Sequence, residues 1–173
     1  MWSYEKKLQY PVKIKTPNHN LAQIIISQLG GPDGELGASM RDLNQRYSMP
    51  YGEVTGILTD VGTEELAHLE MVSAILYQLT RDLREEEIAN TPFATYFVDH
   101  TVGVYPVAAS GVPFDMKYIA SKGDLLTDLH EDLAADAAII KEQPLRGKSR
   151  KPLKYKAFSH LGKTPGNRIP AII

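Results

Sequence analysis

The stretch Gly62-Thr63-Glu64-Glu65-Leu66-Ala67-His68-Leu69-Glu70-Met71 decides how this chain is read. Glu65 and His68 are three residues apart, so on a helix they share a face. At about 100° per residue, Glu65, His68, Leu69, Val72 and Leu76 fall within one sector of roughly 100°. A carboxylate and an imidazole therefore stand on an apolar stripe. A buried Glu is costly unless it is paired or bound to a metal. The spacing fits an internal Glu–His ion pair as well as a metal site.

Outward from this stretch the pattern is helical. Thr63 is a candidate cap for a helix over 63–83, and Glu64 and Glu65 suit its first turn. A separate helical segment is expected over 53–60, after the Pro50-Tyr51-Gly52 turn. Further upstream, Leu21, Ile24, Ile25 and Leu29 mark an amphipathic helix over 20–29, capped by Asn18 or Asn20. Gly30-Gly31-Pro32-Asp33-Gly34 interrupts it. A helix over 33–47 follows, with Leu36, Met40, Leu43 and Tyr47 on one face. Residues 1–17 read as an irregular arm, since Pro11 and Pro17 block a helix interior. Residues 88–123, with Pro92, Pro106 and Pro113, read as a long excursion. A last long helix is expected over 124–141.

Two other acids stand at informative places. Glu35 lies in the first turn of its helix, where an acid is favourable against the dipole. Its neighbours Ser39, Asp42 and Arg46 make that face look solvated. Asp136 shares a stripe of roughly 60° with Leu129, Leu133 and Ile140. An acid there needs a partner, either a metal or an arginine. His130 and Glu131 lie off the stripe and read as solvated. His160 reads as a surface histidine, and His19 and His100 have no ligand-spaced neighbour.

Composition narrows the chemistry. The chain has 173 residues, 43% of them hydrophobic, and no cysteine. Disulfides, thiolate zinc sites and a cysteine nucleophile are excluded. Any metal must rest on Glu, Asp and His. No apolar run is long enough for a transmembrane helix. The N-terminus lacks the apolar region of a signal peptide, which makes synthesis in the cytoplasm the expectation. The net charge of −2 hides an asymmetry. Residues 1–140 carry 10 Lys+Arg and 20 Asp+Glu, giving −10, and residues 141–173 carry 9 and 1, giving +8. The chain therefore divides into a body over 1–140 and a basic, proline-rich tail over 141–173. The tail is expected to be extended or partly disordered. Its only aromatics are Tyr155 and Phe158, too few for a base-stacking platform, so no nucleic-acid partner is expected.

Glu-x-x-His facing a bundle interior is the unit that di-iron and di-manganese carboxylate proteins use. The stretches MWSYEKKLQYPVKI, GGPDGELGASMRDLNQRY, LTDVGTEELAHLEMVSAILYQLT, FVDH, ASGVPF and GDLLTDLHEDLAA carry the rest of the resemblance. Together they resemble the manganese catalases, most of all the short catalase-like proteins of the bacterial spore coat. The resemblance implies an all-α fold, a ferritin-like four-helix bundle with a dimetal centre, here with the last bundle helix missing or altered. It implies metal ligation by Glu35, Glu65, His68 and Asp136, with Glu65 bridging two manganese ions; the donors suit iron as well.

The departures are specific. The family's third-helix Glu falls on Asp136, whose oxygens reach roughly 1.5 Å less far. Nothing like the family's Arg-Glu-x-x-x-His follows it. Position 42, often aromatic in the family, is Asp42. Two functions are therefore in view. One is a manganese catalase that disproportionates hydrogen peroxide to water and dioxygen, with weakened activity. The other is a structural component of the spore coat, held by homo-oligomerisation and by contacts with other coat proteins.

Overall fold

The computed structural model describes residues 4–90, 93–97 and 103–142, with side chains described as far as Ala135. The fold is all-α: among the described residues there is no strand, only an isolated bridge between Val107 and Pro113. Four helices of eleven residues or more carry it. They are α1 (His19–Gly30), α2 (Glu35–Gln45), α3 (Gly52–Thr80) and α6 (Leu125–Glu142). Two short helices, α4 (Glu85–Ala89) and α5 (Ala94–Phe97), sit in the excursion between α3 and α6.

The 29-residue α3 is the spine. The sequence predicts a break before Thr63, yet the helix runs through. Gly62 is not a stop but a crossing point. A Cβ there would lie 2.8 Å from Leu43 Cγ and 3.1 Å from Asp42 Cβ, so its absence lets α2 pass close against α3. Thr63 does not cap anything. Its hydroxyl donates back to the carbonyls of Thr59 and Asp60, at 2.9 and 3.0 Å. The i−4 bond satisfies the hydroxyl inside a continuing helix.

Of the two candidate caps, Asn18 is the one that caps α1, its side chain accepting from the Leu21 N–H at 3.0 Å. The buried apolar side chains of α1 are Ala22, Ile26 and Leu29, whereas Ile24, expected on that face, is exposed. They join Val72, Leu76 and Leu79 of α3 in an apolar cluster. The excursion closes that cluster with Ile88, Phe93, Tyr96, Phe97 and Val107. Gly30 makes the closure possible: a Cβ there would stand 2.3 Å from the Pro106 backbone. The arm at 4–17 is irregular, as predicted, and straps onto α3. Gln78 accepts from Ile14 N–H and donates to Val12 O, and Arg81 donates to the carbonyls of Ile14 and Lys15.

The predicted faces of α2 are reversed. Tyr47 lies beyond the helix and is exposed, and Leu36, Met40 and Leu43 are only half-buried. The buried residues are Gly37, Ala38, Ser39, Arg41, Asp42 and Gln45. Small residues allow the tight α2–α3 crossing, and the polar ones find partners inside. Ser39 Oγ donates to Gly62 O at 2.7 Å, and Gln45 Nε2 donates to Ala120 O at 2.9 Å. On α6, Leu125 and Leu129 pack against Met49, Val54 and Leu58. Beside them Asp128, Asp132 and Ala135 are buried. The tail at 143–173, with His160, lies outside the described residues.

Candidate metal centre

Glu35 and the pair Glu65–His68 meet where α2 crosses α3. Their ligand-type atoms all lie within 4.8 Å of one another. Helix position explains the meeting. Gly34 starts α2 without a side-chain cap, so Glu35 is its first residue, one turn before Ser39. Ser39 is tied to Gly62 of α3, and in an antiparallel crossing a turn back on α2 faces a turn forward on α3. The solvated face expected around Glu35 is therefore wrong: its side chain is 14% exposed, and Ser39 and Asp42 are buried. The α3 stripe stands as read, with Glu65, Val72 and Leu76 buried and His68 and Leu69 half-buried.

The three groups share charge closely. His68 Nδ1 is 2.8 Å from Glu65 Oε2 and 3.8 Å from Glu35 Oε2. Its other nitrogen, Nε2, lies 3.9 Å from Glu64 Oε1. Burial pushes the Glu35 carboxyl up to about 7, and Glu65 beside it adds to the rise while His68 opposes it. Burial alone would lower His68, but the two carboxylates outweigh it and hold the imidazole up to about 10. Two acids and one base in a shielded place make a cluster that gains from a positive charge. Carboxylate oxygens and an imidazole are hard to borderline donors that suit manganese or iron, and a cation would relieve the crowding of the two acids. The donor set fits such an ion.

The remaining sequence-picked residues divide. Asp136 stands on α6 one turn beyond Asp132, and its side chain lies outside the described residues, as does His100. His130 and Glu131 are exposed, as expected. His19 pairs with Asp82 at 2.9 Å, away from the cluster. Missed by the sequence reading is a second buried polar group. Arg41 Nε donates to Asp132 Oδ1 at 3.1 Å, with both side chains almost fully buried. Asp128 accepts from the N–H groups of Lys122 and Gly123, at 2.8 and 3.1 Å. The signal was the Asp128–Asp132 spacing of four, which puts two acids on one face of α6 beside the leucines.

Comparisons with known proteins agree with this geometry. Residues 1–143 match the family described as manganese containing catalase. The chain is 51% identical to Protein CotJC of Bacillus subtilis over 136 residues, 79% of this chain and 71% of that one. It is 30% identical to a probable manganese catalase of Clostridium acetobutylicum, over 79% of this chain and 61% of that one. It is also 30% identical to a manganese catalase of Bacillus subtilis, of which it spans 55%. The chain thus spans little more than half to three-fifths of those catalases. Its fold superposes on the crystal structure of wild-type KatB, a manganese catalase from Anabaena, with a TM-score of 0.72 and 27% identity, covering 92% of this chain and 76% of that one. Those neighbours are ferritin-like helical bundles. Sequence and fold point the same way, and the chain belongs to the manganese-containing catalase family.

Proposed function

We propose that this chain binds manganese at Glu35, Glu65 and His68 and acts weakly on hydrogen peroxide. The observation that supports this reading is the convergence of those three side chains from two helices. Glu65 is the natural bridging carboxylate, being the most buried of the three and in contact with the other two. Glu35 and His68 hold it from either side. Asp136 is the fourth ligand in this reading, drawn from the shorter acid on α6, and two ions are the family's number. Bound manganese supplies the electron exchange by which one peroxide is reduced to water and another is oxidised to dioxygen. The chain's part is to hold the ion with fixed carboxylates, to orient His68, and to keep bulk water from Glu65. The body at 1–140 forms the metal-binding unit in this reading, and the tail at 141–173 is separate.

Loss of supporting groups around a metal commonly costs roughly 10–100-fold in affinity or activity. With one acid shortened and no counterpart of the family's last histidine segment, turnover is expected to fall well below that of a longer catalase. The test is manganese content per chain measured with peroxide-dependent oxygen release, for the parent and for Glu65→Ala. Bound manganese and slow oxygen release, both lost in Glu65→Ala, bear the proposal out. No bound manganese overturns it.

A second reading has its own support. The match spans 71% of Protein CotJC but only 61% and 55% of the catalases. We infer from this, and from the resemblance to short spore-coat proteins, a structural place in the coat. The chain would be held there by contacts with its own copies and other coat proteins. No described helix is long and apolar enough to cross a membrane. Assembly that survives Glu65→Ala supports a structural role independent of metal.

A further inference from the structure

The Arg41–Asp132 pair has no part in the metal cluster, yet it is among the most buried polar contacts of the chain. Arg41 Nε reaches Asp132 Oδ1 at 3.1 Å, across 91 residues of sequence. Arg41 Nη1 stands 3.9 Å from Asp33, and Nη2 has no hydrogen-bond partner among the described residues. A buried ion pair recovers little net stability, because desolvation offsets the attraction. Its best-attested use is to fix register.

The surroundings call for such a device. Among the described residues, Leu125 and Leu129 of α6 pack against Met49, Val54 and Leu58. Apolar contacts are non-directional and tolerate sliding. Asp128 fixes the loop at the start of α6 rather than the helix against α2. The Arg41–Asp132 bond is directional and joins the two helices in mid-course. Gln45 bonds Ala120, ahead of α6, while Arg41 bonds Asp132, so the two helices run antiparallel. One turn on from Asp132 on α6 is therefore level with one turn back from Arg41 on α2, at Gly37, just inside Glu35.

We infer that Arg41 and Asp132 are positioning residues that pin the register of α6 against α2 and so set which turn of α6 stands level with the Glu35–Glu65–His68 cluster. The role at the metal rests on the proposed function; the pin itself does not. A slip of one residue would shift that turn by about 1.5 Å and a slip of one turn by about 5.4 Å.

The test pairs Arg41→Met with Asp132→Leu, an apolar replacement of the whole pair that avoids leaving one charge buried alone. Asn44 and Glu131 are exposed, and with no native cysteine, Asn44→Cys and Glu131→Cys take spin labels at those two sites only. The pin predicts a double variant that still melts cooperatively and shows a broadened or displaced label distance. Manganese affinity should fall tenfold or more, and Arg41→Lys alone should keep part of it. A label distance identical to the parent's overturns the pin, whatever the metal does. An altered distance with parental manganese affinity overturns its role at the site. If the parent binds no manganese, the metal reading fails while the distance still decides the pin.

Discussion

The two halves of α3 are built on opposite principles. From Val72 to Leu79 it lies in an apolar cluster with α1 and the excursion, built from aliphatic and aromatic side chains. From Gly62 to His68 it faces α2 beside a buried polar layer of Ser39, Arg41, Asp42, Glu65 and Asp132. The first half gains from each buried group. The second spends stability on desolvated charge, which is sensible only where those groups do something else. What changes along the helix is its neighbour.

The comparison can be broken at either end. The largest loss is expected for Asp132→Ala, about 3–5 kcal/mol, because Arg41 would keep a buried charge without its partner. Urea unfolding would measure it. If the Arg41→Met/Asp132→Leu pair were as unstable as the single variant, the polar layer would be contributing stability rather than register. At the apolar end, Leu76→Ala should cost about 2–5 kcal/mol through lost burial and the cavity left behind. It should leave manganese affinity within a few-fold of the parent. Loss of metal there would mean that the two halves of α3 are coupled.

Gly62→Ala tests the crossing between them. Its methyl would press on Leu43 and Asp42, and overpacking of this kind costs roughly 1–3 kcal/mol. The effect should reach manganese affinity as well as the melting temperature, since the same crossing brings Glu35 to Glu65.

A last effect is a pH slope of the metal-free chain. Burial and the neighbouring Glu65 push Glu35 up to about 7, and the two carboxylates push His68 up to about 10, both above their ordinary values. The folded chain therefore holds more protons than the unfolded one between each group's ordinary value and its raised one, and stability falls as pH rises. The Glu35 part is lost between about 4.5 and 7, and the His68 part between about 6.5 and 10. His68 is about a quarter exposed, so solvent screens part of this. Melting temperatures from pH 5 to 9 should decline in metal-free protein, and the decline should flatten in Glu35→Gln. A rising curve would contradict the charge sharing described for the cluster.

Much of the fold was legible from periodicity alone. The helix at 19–30, its Asn18 cap, the α3 stripe and the excursion follow from local chemistry that neighbours do not alter. The continuity of α3 through Gly62 was not legible, because glycine signals both a stop and a close approach. The buried face of α2 was misread for a related reason. Small and polar residues look solvated until a second helix comes within reach of them.

Glu65 and His68 were fixed as neighbours by their spacing of three on one helix, a relation that needs no tertiary structure. The absence of cysteine likewise limited any metal to oxygen and nitrogen donors from the start. Whether Glu35 faced solvent or joined them depended on how close α2 comes to α3, and that distance is set by Gly62, Ala38 and Ser39 acting together. Arg41 and Asp132 are 91 residues apart, and no local pattern links them. Helix identity is written in contacts a few residues apart, whereas the pairing of buried charges belongs to the packed bundle, where shared burial makes each the other's solvent.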